Sequence, residues 1–107
     1  MSDDLSLGEF EQLVLLAVLR LRDDAYGLAV RRELLDRADR DAAIGAVYTT
    51  LQRLEDKGYV SSTQRAGSAE RGGRARRCFK VSAAGRKALE RAAAAVRRMS
   101  EGLGFAR

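Results

Sequence analysis

The sequence predicts a mainly α-helical fold with one small β-hairpin. Three observations carry that prediction. Apolar residues recur at helical spacing in four separate stretches, two short β-prone runs flank a glycine-rich turn, and the order is helix, helix, helix, hairpin, helix. The 107 residues amount to one domain, and a hydrophobic content of 46% is enough to give it a core.

The first helix is predicted over 8–22, because Phe10, Leu13, Val14, Ala17, Val18 and Leu21 follow the i, i+3, i+4, i+7 rule. Asp23 and Asp24 break that pattern and are placed to cap a second helix. On it Tyr26, Val30 and Leu34 share one face, which makes Tyr26 a core residue. Asp39, Arg40 and Asp41 form a short polar break. A third helix over 43–57 stops at Gly58, a residue suited to a left-handed cap. Its apolar stripe is Ile44, Val47, Leu51 and Leu54. At 100° per residue, Gly45, Thr49, Gln52 and Arg53 fall on the opposite side, with Thr50 flanking them. Tyr48 borders core and surface, which leaves its hydroxyl either a phosphate or a structural partner.

Residues 59–66 and 75–82 read as strands, with Tyr59, Val60 and Thr63 on one and Cys78, Phe79 and Val81 on the other. The turn between them holds Arg71, Gly72, Gly73 and Arg74, and core formation does not explain it. Ser82 caps a fourth helix that Gly102 ends. Leu89, Ala92, Val96, Met99 and Leu103 make a narrow apolar seam on it, close to a coiled-coil pattern, with small Ala93 alongside.

Charge is unevenly distributed. Residues 1–64 carry 8 basic and 12 acidic side chains, residues 65–80 carry 6 and 1, and residues 81–107 carry 6 and 2. A positive run concentrated on one hairpin is the electrostatic footprint of a polyanion partner. The absences are equally directive. Without His and with a single Cys, one chain cannot assemble a structural zinc site or a Ser-His or Cys-His nucleophile. No metal, cofactor or enzymatic activity is expected. Cys78 reads as a small apolar residue, or as a redox-sensitive thiol among cations. The apolar run Leu13–Val18 lacks a basic leader and is too short to cross a bilayer. A cytoplasmic location without a membrane partner is expected.

This order of elements is that of a winged helix-turn-helix over residues 1–82, followed by a C-terminal dimerisation helix and tail over 83–107. The second and third helices form the helix-turn-helix, and the hairpin is the wing. Such a domain fits double-stranded DNA. Arg71, Arg74, Arg76 and Arg77 then grip the backbone, while Gly72 and Gly73 permit close approach. Thr49, Gln52 and Arg53 face base edges, Arg53 toward guanine and Gln52 toward adenine, with Gly45 and Thr50 beside them. Pairing through Leu89, Ala92, Ala93, Val96, Met99 and Leu103 gives a homodimer, which calls for a palindromic operator. The alternative function is a winged-helix protein-interaction module that selects no DNA sequence.

Ile44–Gly58 resembles the recognition-helix signature of PadR-like transcriptional regulators. Gly72–Arg86 resembles that family's wing strand and following helix start, and Ala25-Tyr26-Gly27 its second-helix opening. The resemblance spans about residues 7–100 and points to the compact branch with a single C-terminal dimerisation helix. It implies a homodimeric regulator, usually a repressor, with Tyr48 near the DNA backbone and release by a small-molecule effector. Three departures stand out. Ala43 replaces a Ser or Thr, which leaves Asp41 to cap the third helix. Cys78 replaces an aromatic residue. Residues 82–101 contain no aromatic to stack on a ligand, so no aromatic effector pocket is expected.

Overall fold

The computed structural model describes residues 6–65 and 76–104. Within them the elements are α1 (Glu9–Leu21), α2 (Gly27–Ala38), α3 (Ile44–Asp56), the strands β1 (Val60–Arg65) and β2 (Arg76–Val81), and α4 (Ala83–Ser100). The mainly helical fold with one hairpin is therefore as predicted. Val14, Leu15 and Val18 of α1, Val30 and Leu34 of α2, and Val47, Leu51 and Leu54 of α3 are the most deeply buried side chains. All but Leu15 are apolar positions that helical spacing selects; Leu15, outside the expected stripe, is buried beside Val14. Burying one such side chain contributes about 1.5–3 kcal/mol.

The hairpin closes one end of this three-helix core. β1 and β2 pair antiparallel with Val60 opposite Val81, and Val60 and Phe79 face the helices. A short third piece joins the sheet. The Phe79 N–H donates to the Ala25 carbonyl at 2.9 Å, and Tyr26 bridges to Cys78. This pairing requires extended backbone between α1 and α2, and it displaces the expected cap. Asp23 and Asp24 lie in a single 3₁₀ turn (Arg22–Asp24) instead, and Tyr26 occupies the N-cap of α2 without a side-chain hydrogen bond.

Asp41 does not cap α3 either. Ala43 holds the N-cap with no side-chain partner, while Asp41 lies 3.5 Å from Arg31. The other end of α3 follows its sequence signals. Gly58 adopts φ +81°, the Tyr59 N–H donates to Leu54 and the Gly58 N–H to Glu55, which forms a Schellman cap. Lys57 reaches across to α1, where its ammonium donates to both carboxylate oxygens of Glu11 at 3.0 Å and to the Ser6 carbonyl at 2.8 Å.

Ser82 caps α4 as predicted, accepting from the Gly85 N–H at 3.0 Å. Its hydroxyl also donates to the Gly58 carbonyl at 2.7 Å, tying the start of α4 to the end of α3. The first half of α4 returns to the core through Ala88 and Leu89. Leu89 is therefore covered by its own domain, a correction to its place in a seam between copies. Beyond it Val96, Met99 and Leu103 are exposed, Met99 at 80%. No helix among the described residues is long and apolar enough to cross a membrane.

Candidate nucleic-acid interface

α3 presents one polar side to solvent. Gly45, Thr49, Gln52 and Arg53 are all exposed, as 100° spacing requires. Thr50 is not among them. It is 5% exposed, because it stands three residues after Val47 and four before Leu54, on the buried stripe. That spacing is present in the sequence and outranks the polarity of a threonine.

Tyr48 sits at the edge of this surface, 42% exposed. Its ring lies across the start of α2, against Gly27, where any Cβ would run into the ring carbons. Gly27 thus sets the tyrosine's position, a role visible only once the two helices are packed. The ring is held by packing, and its hydroxyl has no hydrogen-bond partner among the described residues. Tyr26 is half-buried rather than core. It forms a platform on which the Arg76 guanidinium stacks, 3.6 Å from the ring centroid.

The wing brings a second cation to α3. Arg77 Nη2 pairs with Glu55 Oε1 at 2.5 Å and reaches Gln52 Oε1 at 3.5 Å, and Arg77 Nε donates to Ser62 Oγ at 3.1 Å. Gln52 in turn donates through Nε2 to Asp56 Oδ1 at 3.1 Å. Arg77 is expected at the DNA backbone, yet here its Nε and Nη2 are taken up by β1 and α3. Glu55, Asp56 and Ser62 are the residues that sequence reasoning missed. No local pattern links position 77 to positions 52 and 55; only the packing of the wing against α3 does. Arg65 donates to the Asp23 carbonyl, which anchors β1 to the turn after α1. Arg71, Gly72, Gly73 and Arg74 lie outside the described residues.

Among the described residues no cluster of Cys, Asp and Glu could hold a metal ion, and Cys78, on β2, is buried. The surface so assembled combines a polar helix face, a tyrosine hydroxyl and a stacked arginine. Such groups bind phosphate and base edges.

The family model for the transcriptional regulator PadR-like family matches residues 15–91, which include α2, α3, the wing and half of α4. The chain belongs to the PadR-like family of transcriptional regulators. This makes it a DNA-binding regulator rather than an enzyme. Its fold is similar to that of a PadR family regulator from Eggerthella lenta, at 26% identity and a TM-score of 0.69, covering 90% of this chain and 83% of that one. It is also similar to a PadR-like transcription factor from Bacteroides fragilis, at 21% identity and a TM-score of 0.70, covering 88% and 85%. A PadR family regulator from Clostridium difficile shares 20% identity at a TM-score of 0.70, covering 86% and 92%. A comparison with curated protein sequences gave no match.

Proposed function

We propose that this PadR-like regulator reads a palindromic DNA operator as a homodimer, with α3 in the major groove and the wing on the flanking backbone. The observation that carries the reading is the exposed face of Gly45, Thr49, Gln52 and Arg53, set beside Tyr48 and the stacked Arg76. Thr49, Gln52 and Arg53 supply base-edge contacts, and Gly45 lets the helix approach closely. Tyr48 and Arg76, with Arg71 and Arg74 of the segment between the two strands, supply phosphate contacts. The exposed Val96, Met99 and Leu103, with Ala92 and Ala93, supply the seam between two copies. The positive charge of the wing and C-terminal segment supports the same reading. Repression, relieved by a small-molecule effector, and a cytoplasmic location complete the proposal, and both rest on the resemblance to the family.

Selecting bound duplexes from a random-sequence pool, followed by footprinting, tests it. The expected product is a site with two inverted halves. Arg53→Ala should relax base preference at one position per half-site, with a cost of about 1–3 kcal/mol for a bidentate contact. Equal losses on selected and scrambled duplex would remove Arg53 from base reading. Failure to enrich any sequence would favour a protein-docking role for the wing.

A further inference from the structure

The last turn of α3 and both strands of the wing meet at one closed set of hydrogen bonds. Arg77 Nη2 contacts Glu55 Oε1 at 2.5 Å, Arg77 Nε donates to Ser62 Oγ at 3.1 Å, and the Ser62 hydroxyl donates to Glu55 Oε2 at 3.0 Å. Both carboxylate oxygens are thereby engaged. The guanidinium lies 5.0 Å from the Phe79 ring centroid, and the same Nη2 also reaches Gln52 Oε1 at 3.5 Å. In a hairpin suited to a polyanion, this arginine is turned inward onto an acid.

The acid is itself out of place by ordinary helix rules. Glu55 and Asp56 occupy the last turn of α3, where the helix dipole is negative and cations are favoured. They also stand on or beside the face proposed to approach DNA, so a duplex bound out of register brings phosphate toward Asp56, whose partner here is the neutral amide of Gln52 rather than a cation. A like-charge juxtaposition of this kind discriminates against wrong partners.

We infer that Glu55 is a specificity-determining residue that withholds Arg77 from the phosphate backbone and uses it to lock the wing and Gln52 against α3. This rests on the proposed DNA interface. An arginine freed on β2 would add a sequence-independent phosphate contact, raising affinity for all DNA alike. Held by Glu55, the same side chain fixes the carboxamide of Gln52 between Arg77 and Asp56, which pre-orients the adenine-reading group.

The test measures anisotropy of labelled selected and scrambled duplexes over a range of salt, for wild type, E55Q, R77Q and the double variant. E55Q keeps the shape of the side chain, and a thermal melt of each variant checks folding. On scrambled DNA, E55Q should bind at least threefold more tightly at low salt and steepen the log–log salt slope by about 0.9, one phosphate contact. Its preference for the selected duplex should fall. The double variant should return to the wild-type slope, which assigns the gain to Arg77. R77Q should lose operator preference without flattening the slope. An unchanged slope in E55Q, or a slope flattened by about 0.9 in R77Q, overturns the inference while leaving the interface intact. Wild type that binds neither duplex overturns the interface and this inference with it. S62A, which removes one side of the set, should shift the scrambled-duplex slope in the direction of E55Q; no shift counts against the lock.

Discussion

Two glycines show how differently one residue type is used at the residue scale. A Cβ at Gly85 would collide with the backbone carbonyl of Tyr59, which already accepts from the Ser82 N–H at 2.9 Å. Backbone cannot swing aside as a side chain does. Gly85→Ala should therefore cost about 1–3 kcal/mol in urea unfolding, as overpacking does. Gly45, in the first turn of α3, has open space within 4 Å of the position a Cβ would take. Gly45→Ala should stabilise the fold by about 0.5–1 kcal/mol while weakening duplex binding, which measures close approach apart from folding. A gain in both would remove Gly45 from the interface. This contrast is not legible in the sequence, where both glycines are simply helical. Thr50 is the opposite case, since its burial follows from spacing alone.

Elements are more legible in the sequence than the contacts between them. Helical periodicity locates α1, α3 and α4, and β-branched and aromatic runs locate the strands, because these signals depend only on residues close in the chain. The caps of α2 and α3 differ from expectation because sheet pairing at Ala25 and Tyr26, and the Arg31–Asp41 contact, come from residues far along the chain or across it. The same holds for Lys57 and Glu11, whose side chains are only 14% and 10% exposed. That pair clamps the end of α3 to the start of α1. Lys57→Met should destabilise the fold by about 3 kcal/mol, since it leaves Glu11 desolvated beside an apolar group. Lys57→Met combined with Glu11→Leu should recover much of that loss, and a double-mutant cycle by chemical denaturation would measure the coupling. Additive losses would show that the two act independently.

For the whole molecule, the decisive feature is the far half of α4. Val96, Met99 and Leu103, beyond Leu89, stand open to solvent. Replacing Val96 and Met99 together with Glu should yield a folded monomer by sedimentation, and cut affinity for a palindromic duplex far more than for a single half-site. A variant that stays dimeric would move the seam elsewhere. The proposed seam is legible as a pattern, but where the core ends and the seam begins is not, since Leu89 and Val96 look alike in sequence.

The Ser82 junction joins these parts mechanically. Its hydroxyl accepts from the first turn of α4 and donates to the carbonyl of Gly58, while its N–H binds Tyr59. A rotation of α4 is then felt directly at the residues that terminate α3, with no slack linker between. In the proposed dimer, the helix that joins two copies is also a lever on the helix that reads DNA. The angle between protomers and the spacing of the two half-sites would then be set at one serine.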